Sequence, residues 1–203
     1  ISPEEYGGYY AYGELNDKGN YTTGTYSYQN TSYSDIADIR LTDKDVAHVR
    51  LGGNFTLPTS EELNMLKDSC TWEWQSSFNG NAGYKITGKN GNSLFMPAGG
   101  YRNNTDNPSE FPTRGLYRTS QLIASGQKSN WFLSFKNSSK SVDHSTNLFH
   151  GYSIRPVVTS GMQMTDGTLV LVMTDSVQWK ATQLTSKLFG TVYGISKAKT
   201  PVE

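Results

Sequence analysis

Cysteine is nearly absent from this chain: Cys70 stands alone among 203 residues. No intramolecular disulfide can form, and no thiolate cluster is available to hold zinc. Excess charge of either sign is also missing, with 18 basic and 18 acidic side chains. Bulk electrostatics therefore draws the chain neither to nucleic acid nor to an anionic membrane. Long apolar runs are lacking too. The longest, Leu169 to Met173, is far too short to span a bilayer, and the opening Ile1-Ser2-Pro3 carries no signal peptide. Direct membrane insertion is not expected, and any export address is expected to lie outside this sequence.

What is abundant is glycine (20) and tyrosine (13), with many Asn, Ser and Thr, while only 18% of residues are charged. That mixture suits short strands, frequent turns and a polar, aromatic surface better than a helical bundle. The expected class is α+β, with two short helices, twisted antiparallel sheets and long polar loops. One domain with a substantial core is expected over residues 1–160 and a β-rich tail over residues 161–203.

From Tyr6 to Tyr33 glycine, tyrosine and polar residues alternate without a helical period, which predicts short strands and loops with tyrosines packed beneath them. A first helix is expected over Asp43 to Arg50, with Val46 and Val49 on one side. A second follows Pro58, where Thr59-Ser60-Glu61-Glu62 forms a capping box and Leu63 and Leu66 supply a buried stripe, with Met65 and Trp72 as extensions. Cys70, just after this run, reads as a small core residue. Gly83 to Gly88 and Ser93 to Pro97, joined through Asn90-Gly91, predict a hairpin. Residues 99–115 read as a long polar loop. Trp131, Leu133 and Phe135 alternate with Phe132 and Ser134 as a strand does, Asn137 to Lys140 makes a turn, and Ser141 to Gly151 is short of aliphatic core residues. Tyr152 to Val158 restores a strand pattern.

The order of these segments resembles a known family. Ser2 to Glu14 (Ser-Pro-Glu-Glu-Tyr-Gly-Gly-Tyr-Tyr-Ala-Tyr-Gly-Glu), Gly52 to Thr59, Gly91 to Arg102, Gly115-Leu116-Tyr117 and Ser153 to Val157 are similar to the landmarks of the Fibrobacter succinogenes major paralogous domain. The resemblance covers residues 2–158 and implies the C-type-lectin-like fold of the formylglycine-generating-enzyme type. The same fold carries the variable proteins of diversity-generating retroelements, and the stretch from Tyr117 to Gly151 corresponds to their rewritten segment. Asp, His, Ser, Thr, Leu and Phe, the residue types of Asp143 to His150, are reachable from an Asn codon by changing adenines alone. Lys128, Lys136, Lys140, Gln121 and Gln127 are not. Family domains open with an apolar strand and a Trp-Ala-Thr-like motif; Thr168 to Met173 and Ser176 to Thr182 look like a diverged version of it. The tail is therefore expected to fill the first-strand position, within the chain as a permutation or between chains as an exchange, or else to form a separate β-hairpin.

Catalysis is not expected. The formylglycine-generating relatives need paired thiols, and only Cys70 is present. His48, His144 and His150 show no metal spacing, although His144 and His150 can approach one another on a loop. Asp106, Asn107, Glu110 and Asp143 follow no calcium-loop pattern, and the Glu-Pro-Asn and Trp-Asn-Asp signatures of sugar-binding C-type lectins are missing. No cofactor is expected. The candidate ligand-binding residues are Arg118, Gln121, Ile123, Phe132, Ser134, Asp143, His144, Ser145, Asn147, Leu148, Phe149, His150 and Tyr152, a mixture of aromatic anchors and directional polar groups. The expected partner is a protein or glycan on another cell or surface, with protein favoured because Ile123, Leu148 and Phe149 offer apolar anchors. The expected setting is a surface-displayed adhesin or receptor-type module of a gut bacterium or its phage. A carbohydrate-binding accessory module and a structural pilus or virion component are the alternatives.

Overall fold

The Tyr-rich opening segment has little regular structure, yet it supplies much of the core. Irregular backbone can be buried only where its polar groups find partners, and here tyrosine hydroxyls provide them. The Tyr12 hydroxyl lies 2.8 Å from the Ile36 carbonyl oxygen and 2.7 Å from that of Ser120. Tyr26 donates to the Tyr12 carbonyl at 2.9 Å, and Tyr9 to that of Gly99 at 2.5 Å. Each ring adds apolar area while its hydroxyl pins a loop. The expected packing of tyrosines under loops is what forms, but the expected short strands are not: Tyr10 makes a single bridge to Tyr152, and residues Thr23–Thr25 form one 3-10 turn. Ile36, Ile39, Leu57, Leu122 and Leu148 complete this core.

The computed structural model describes residues 5–104, 107–159, 170–177 and 188–194. In chain order the elements are α1 (Val46–Leu51), β1 (Phe55–Thr56), α2 (Ser60–Ser69), β2 (Thr71–Phe78), β3 (Asn81–Thr87), β4 (Ser93–Pro97), β5 (Arg114–Leu122), β6 (Asn130–Lys136), β7 (Ser139–Ser145), β8 (Val157–Val158), β9 (Val170–Val177) and β10 (Leu188–Gly194). Small antiparallel sheets with two helices make this an α+β arrangement.

Helix α1 begins later than expected because Asp45, rather than Asp43, caps it, and Val49 faces solvent while Val46 is buried. The Asp45 carboxylate is fully buried. It accepts from the amides of Leu41, Ala47, His48 and Leu57 and from the Thr56 hydroxyl, so one side chain starts the helix and ties it to β1. In α2 the capping box forms as expected: the Glu62 amide donates to Thr59 Oγ1 at 3.1 Å and the Thr59 amide to Glu62 Oε2 at 2.8 Å. Leu63 is buried, but Met65 is exposed and Trp72 belongs to β2, where its indole N–H donates to the Leu66 carbonyl at the end of the helix. Cys70 is the half-buried C-cap.

Strands β2, β3 and β4 form one sheet, with Gly91 (φ +84°) taking the left-handed conformation in the β3–β4 turn. Strands β5, β6 and β7 form another. Between the two sheets Tyr84, Ile86, Met96, Tyr117, Leu133 and Phe135 pack with Leu63 of α2. Gly115 is required at its place because a Cβ there would collide with the Phe135 ring. The loop of residues 99–115 is fastened at several points: Gly100 bridges Gly115, Tyr101 bridges Ser109, and Arg102 bridges Gly151.

Contacts divide the chain into a unit from Ile1 to Val157 and another from Val158 to Glu203. In the second, β9 and β10 pair antiparallel, Val172 opposite Val192. The tail segment expected to complete the fold thus contributes residues 170–177 to a two-stranded sheet with residues 188–194. Thr168, Leu169 and residues 178–182 of that expectation lie outside the described residues, as does Asp106.

Candidate functional site

The sheet β5–β6–β7 organises most of the candidate residues. Its register sets Arg118 opposite Phe132 and Phe132 opposite Asp143; Leu116 faces Ser134, which faces Ser141; Asn130 faces Ser145. Because side chains alternate across a sheet, Arg118, Phe132, Ser134, Asp143 and Ser145 share one face. Trp131, Leu133 and His144 lie on the other.

At the β5 side the first face is roofed over. Residues 151–153 run along the outer edge of β5, where Tyr117 and Ser153 form a parallel bridge, and Tyr152 bridges Tyr10 on the far side, so the Tyr152 side chain lies over this face. Tyr152 packs on Phe132 with ring centroids 5.2 Å apart and on the Arg118 guanidinium at 4.4 Å. Arg118, Phe132, Ser134 and Tyr152 are consequently interior, and Leu148 is fully buried in the core under the Tyr-rich segment. These five are corrections to the expected contact surface. Their polar or isolated appearance in sequence reflects hydrogen bonding and packing inside the domain. Gln121 is similarly committed, donating to Asp38 at 3.2 Å and accepting from the Ser60 amide at the start of α2 at 3.3 Å.

Arg118 is the lock. With 1% of its surface exposed, it has no carboxylate partner among the described residues; its donors go instead to the carbonyls of Tyr10 (3.1 Å) and His150 (2.6 Å) and to Asn130 Oδ1 (2.7 Å). Burial pushes the guanidinium pKa down from its ordinary value, and the carbonyls and the Tyr152 ring offset part of that cost. His150, half-buried beside Tyr101 and Phe149, is lowered to about 4 by desolvation and then by Arg118. It is a neutral ring at pH 7. At the opposite end Glu110 joins Lys136 (2.8 Å) and Arg114 (2.6 Å), which hold its carboxyl below the usual range, and Arg114 donates to Ser134 at 3.0 Å.

The exposed remainder gathers along β7 and the loop after it. Asp143, His144 and Asn147 are exposed, while Ile123, Ser145, Phe149 and His150 are half-buried. In sequence this stretch lacks an apolar pattern and was expected to be loop. It is in part a strand, because β7 pairs its backbone with β6 while most of its side chains face water. Tyr101 joins this rim, 5.6 Å from His150 and 6.1 Å from Tyr152 between ring centroids. Its place in the polar loop gave no sign of this role; the bridge to Ser109 and the neighbouring Arg102–Gly151 bridge bring it there.

No protein-family model, curated protein or solved structure matches this chain.

On the second face His144 stands edge-on to Trp131 at 5.2 Å, and its Nδ1 lies 3.1 Å from Ser129 Oγ. It borders an open hollow of about 660 Å³ between the loop of residues 123–129 and the end of β7. Gln127, Lys128, Ser129 and Thr146 line that hollow and were not among the expected contacts; polar loop residues carry no periodic signal that distinguishes a lining from a solvated turn. His144 and His150 do not pair, each being held by different aromatic neighbours. Among the described residues no group of His, Cys, Asp and Glu is placed to hold a metal ion. No helix among them is long and apolar enough to cross a membrane.

Proposed function

We propose that this chain is a non-catalytic ligand-binding module with a C-type-lectin-like fold, displayed outside the cell and presenting β7 with the loop to His150 to a protein or glycan. One observation carries the reading: Asp143 and His144 of β7 and Asn147 of the loop after it stand exposed beside a sheet whose inner residues are immobilised by Arg118 and Tyr152. A rigid support with varied exposed groups suits recognition, since little ordering is left to oppose binding. The lone, half-buried Cys70 at the end of α2 offers no thiol pair for oxidative chemistry.

The fold assignment draws support from how the segments resembling the Fibrobacter domain meet. The Tyr9 hydroxyl donates to Gly99, Gly100 lies beside Gly115, Tyr117 beside Ser153, and the Ser120 amide donates to Pro58 at 2.9 Å. Diversification by a retroelement accords with exposed Asp143, His144, Thr146 and Asn147, whereas Leu148, whose carbonyl accepts from Tyr12 and whose side chain is buried, belongs to the framework. A near-copy of the codons for this stretch, differing at adenines and lying beside a reverse transcriptase gene, is the expected genomic finding; its absence removes diversification alone.

Arrays of glycans and surface proteins probed with the full chain test the binding reading. Asp143→Arg is expected to abolish capture, while Lys89→Glu in the β3–β4 turn leaves it intact. Capture indifferent to Asp143→Arg refutes the assignment of this face.

A further inference from the structure

We infer that the hollow beside β7 is a subsite for an acidic sugar, a monosaccharide unit bearing a carboxylate. This rests on the binding-module reading and names the ligand chemistry at one end of the same face.

The hollow is lined by a cation with spare donors. Lys128 donates to Gln29 Oε1 at 3.1 Å and lies 5.8 Å from the centre of the Tyr33 ring, and it has no carboxylate partner among the described residues. One ammonium group has three donors, so the Gln29 contact positions it without using it up. No acidic side chain is among the lining residues. Asp143, next in the chain to His144, belongs to the face of Phe132.

The second feature is an oriented imidazole. His144 is fixed by the Trp131 edge and by Ser129, itself buried, which engages Nδ1 and leaves Nε2 as the ring nitrogen for a ligand. Gln127 and Thr146 add an amide and a hydroxyl, the groups that match sugar hydroxyls, and Ile123 offers an apolar patch for the face of a pyranose ring. The peptide alternative needed apolar anchors, and burial of Leu148 takes away one of them.

Titration of the full chain with glucuronate, glucose and an acidic tetrapeptide, followed by amide and indole NMR shifts, tests this. A charge-assisted contact at Lys128 predicts that glucuronate binds about tenfold or more tightly than glucose. It also predicts loss of that margin in Lys128→Ala, its retention in Lys128→Arg, and weakening with added salt. Trp131 is expected to report the shift. Lys128 anchors to Gln29 and the Tyr33 ring at the surface, so the alanine variant is expected to melt close to the wild type, and Thr146→Val supplies a second, milder lesion in the same wall. Glucuronate binding no tighter than glucose, unchanged binding in Lys128→Ala, or an equal response to the acidic tetrapeptide overturns the acidic-sugar assignment. If another ligand is then captured in a manner sensitive to Asp143→Arg, the module reading stands without this subsite. If nothing is captured on any array, both fall.

Discussion

Replacing Arg118 with methionine probes the support of the proposed face. The guanidinium serves three acceptors, but they do not suffer equally when it goes. The Tyr10 carbonyl keeps the Tyr152 amide at 3.1 Å, whereas Asn130 Oδ1 and the His150 carbonyl lose their contacts at 2.7 and 2.6 Å. A buried acceptor left without its donor costs about 1–3 kcal/mol, so two give about 2–6 kcal/mol. Loss of the contact with Tyr152 adds up to about 2 kcal/mol. Against this, methionine carries no charge to desolvate, which returns part of the difference. The expected net loss is about 2–4 kcal/mol for Arg118→Met, and more for Arg118→Ala, which also leaves a cavity. Urea unfolding followed by near-ultraviolet circular dichroism of the buried tyrosines measures it, read as a fall in midpoint at constant slope. A methionine variant within about 0.5 kcal/mol of wild type, the range of ordinary surface changes, refutes Arg118 as an interior lock.

Asp45→Ala strands the amides of Leu41, Ala47, His48 and Leu57 in one step, so a loss of about 3–5 kcal/mol is expected from the same unfolding assay. Thr59→Ala removes one half of the α2 capping box and is expected to cost about 1 kcal/mol, seen as earlier amide exchange in the first turn of that helix. His150, ordinarily near 6.5 and lowered to about 4, makes the unfolded chain bind more protons between those values; stability is therefore full above pH 6.5 and falls as the pH drops toward 4. His150→Gln is expected to flatten that limb of the stability profile, and an unchanged slope in the variant counts against the burial of this ring.

Local chemistry made several elements readable in advance. The Thr59–Glu62 capping box and the Asn90-Gly91 turn depend on residues a few positions apart, and both formed where their spacing placed them. The start of α1 was missed by a few residues because its cap was chosen by a tertiary partner. Asp45 reaches the Thr56 hydroxyl of β1 and the Leu57 amide just after it, which Asp43 does not. β7 was missed for the opposite reason. An edge strand with both faces largely wet needs no apolar alternation, and its pairing partner β6 supplied the order.

The candidate face shows where sequence reading stops. The stretch of residues 117–152 contains the candidate residues, and the family resemblance together with its polar and aromatic mixture picked it out. Which of those groups stand exposed was decided by the Tyr152 ring, held over Arg118 and Phe132 because residues 151–153 pair with the edge of β5, a contact between segments far apart in the chain. That ring covers Arg118 and Phe132 and leaves Asp143 exposed, although all three share one side of one sheet. Alternation determines the side of a strand on which a residue lies. Only packing from distant segments determines whether that side is covered.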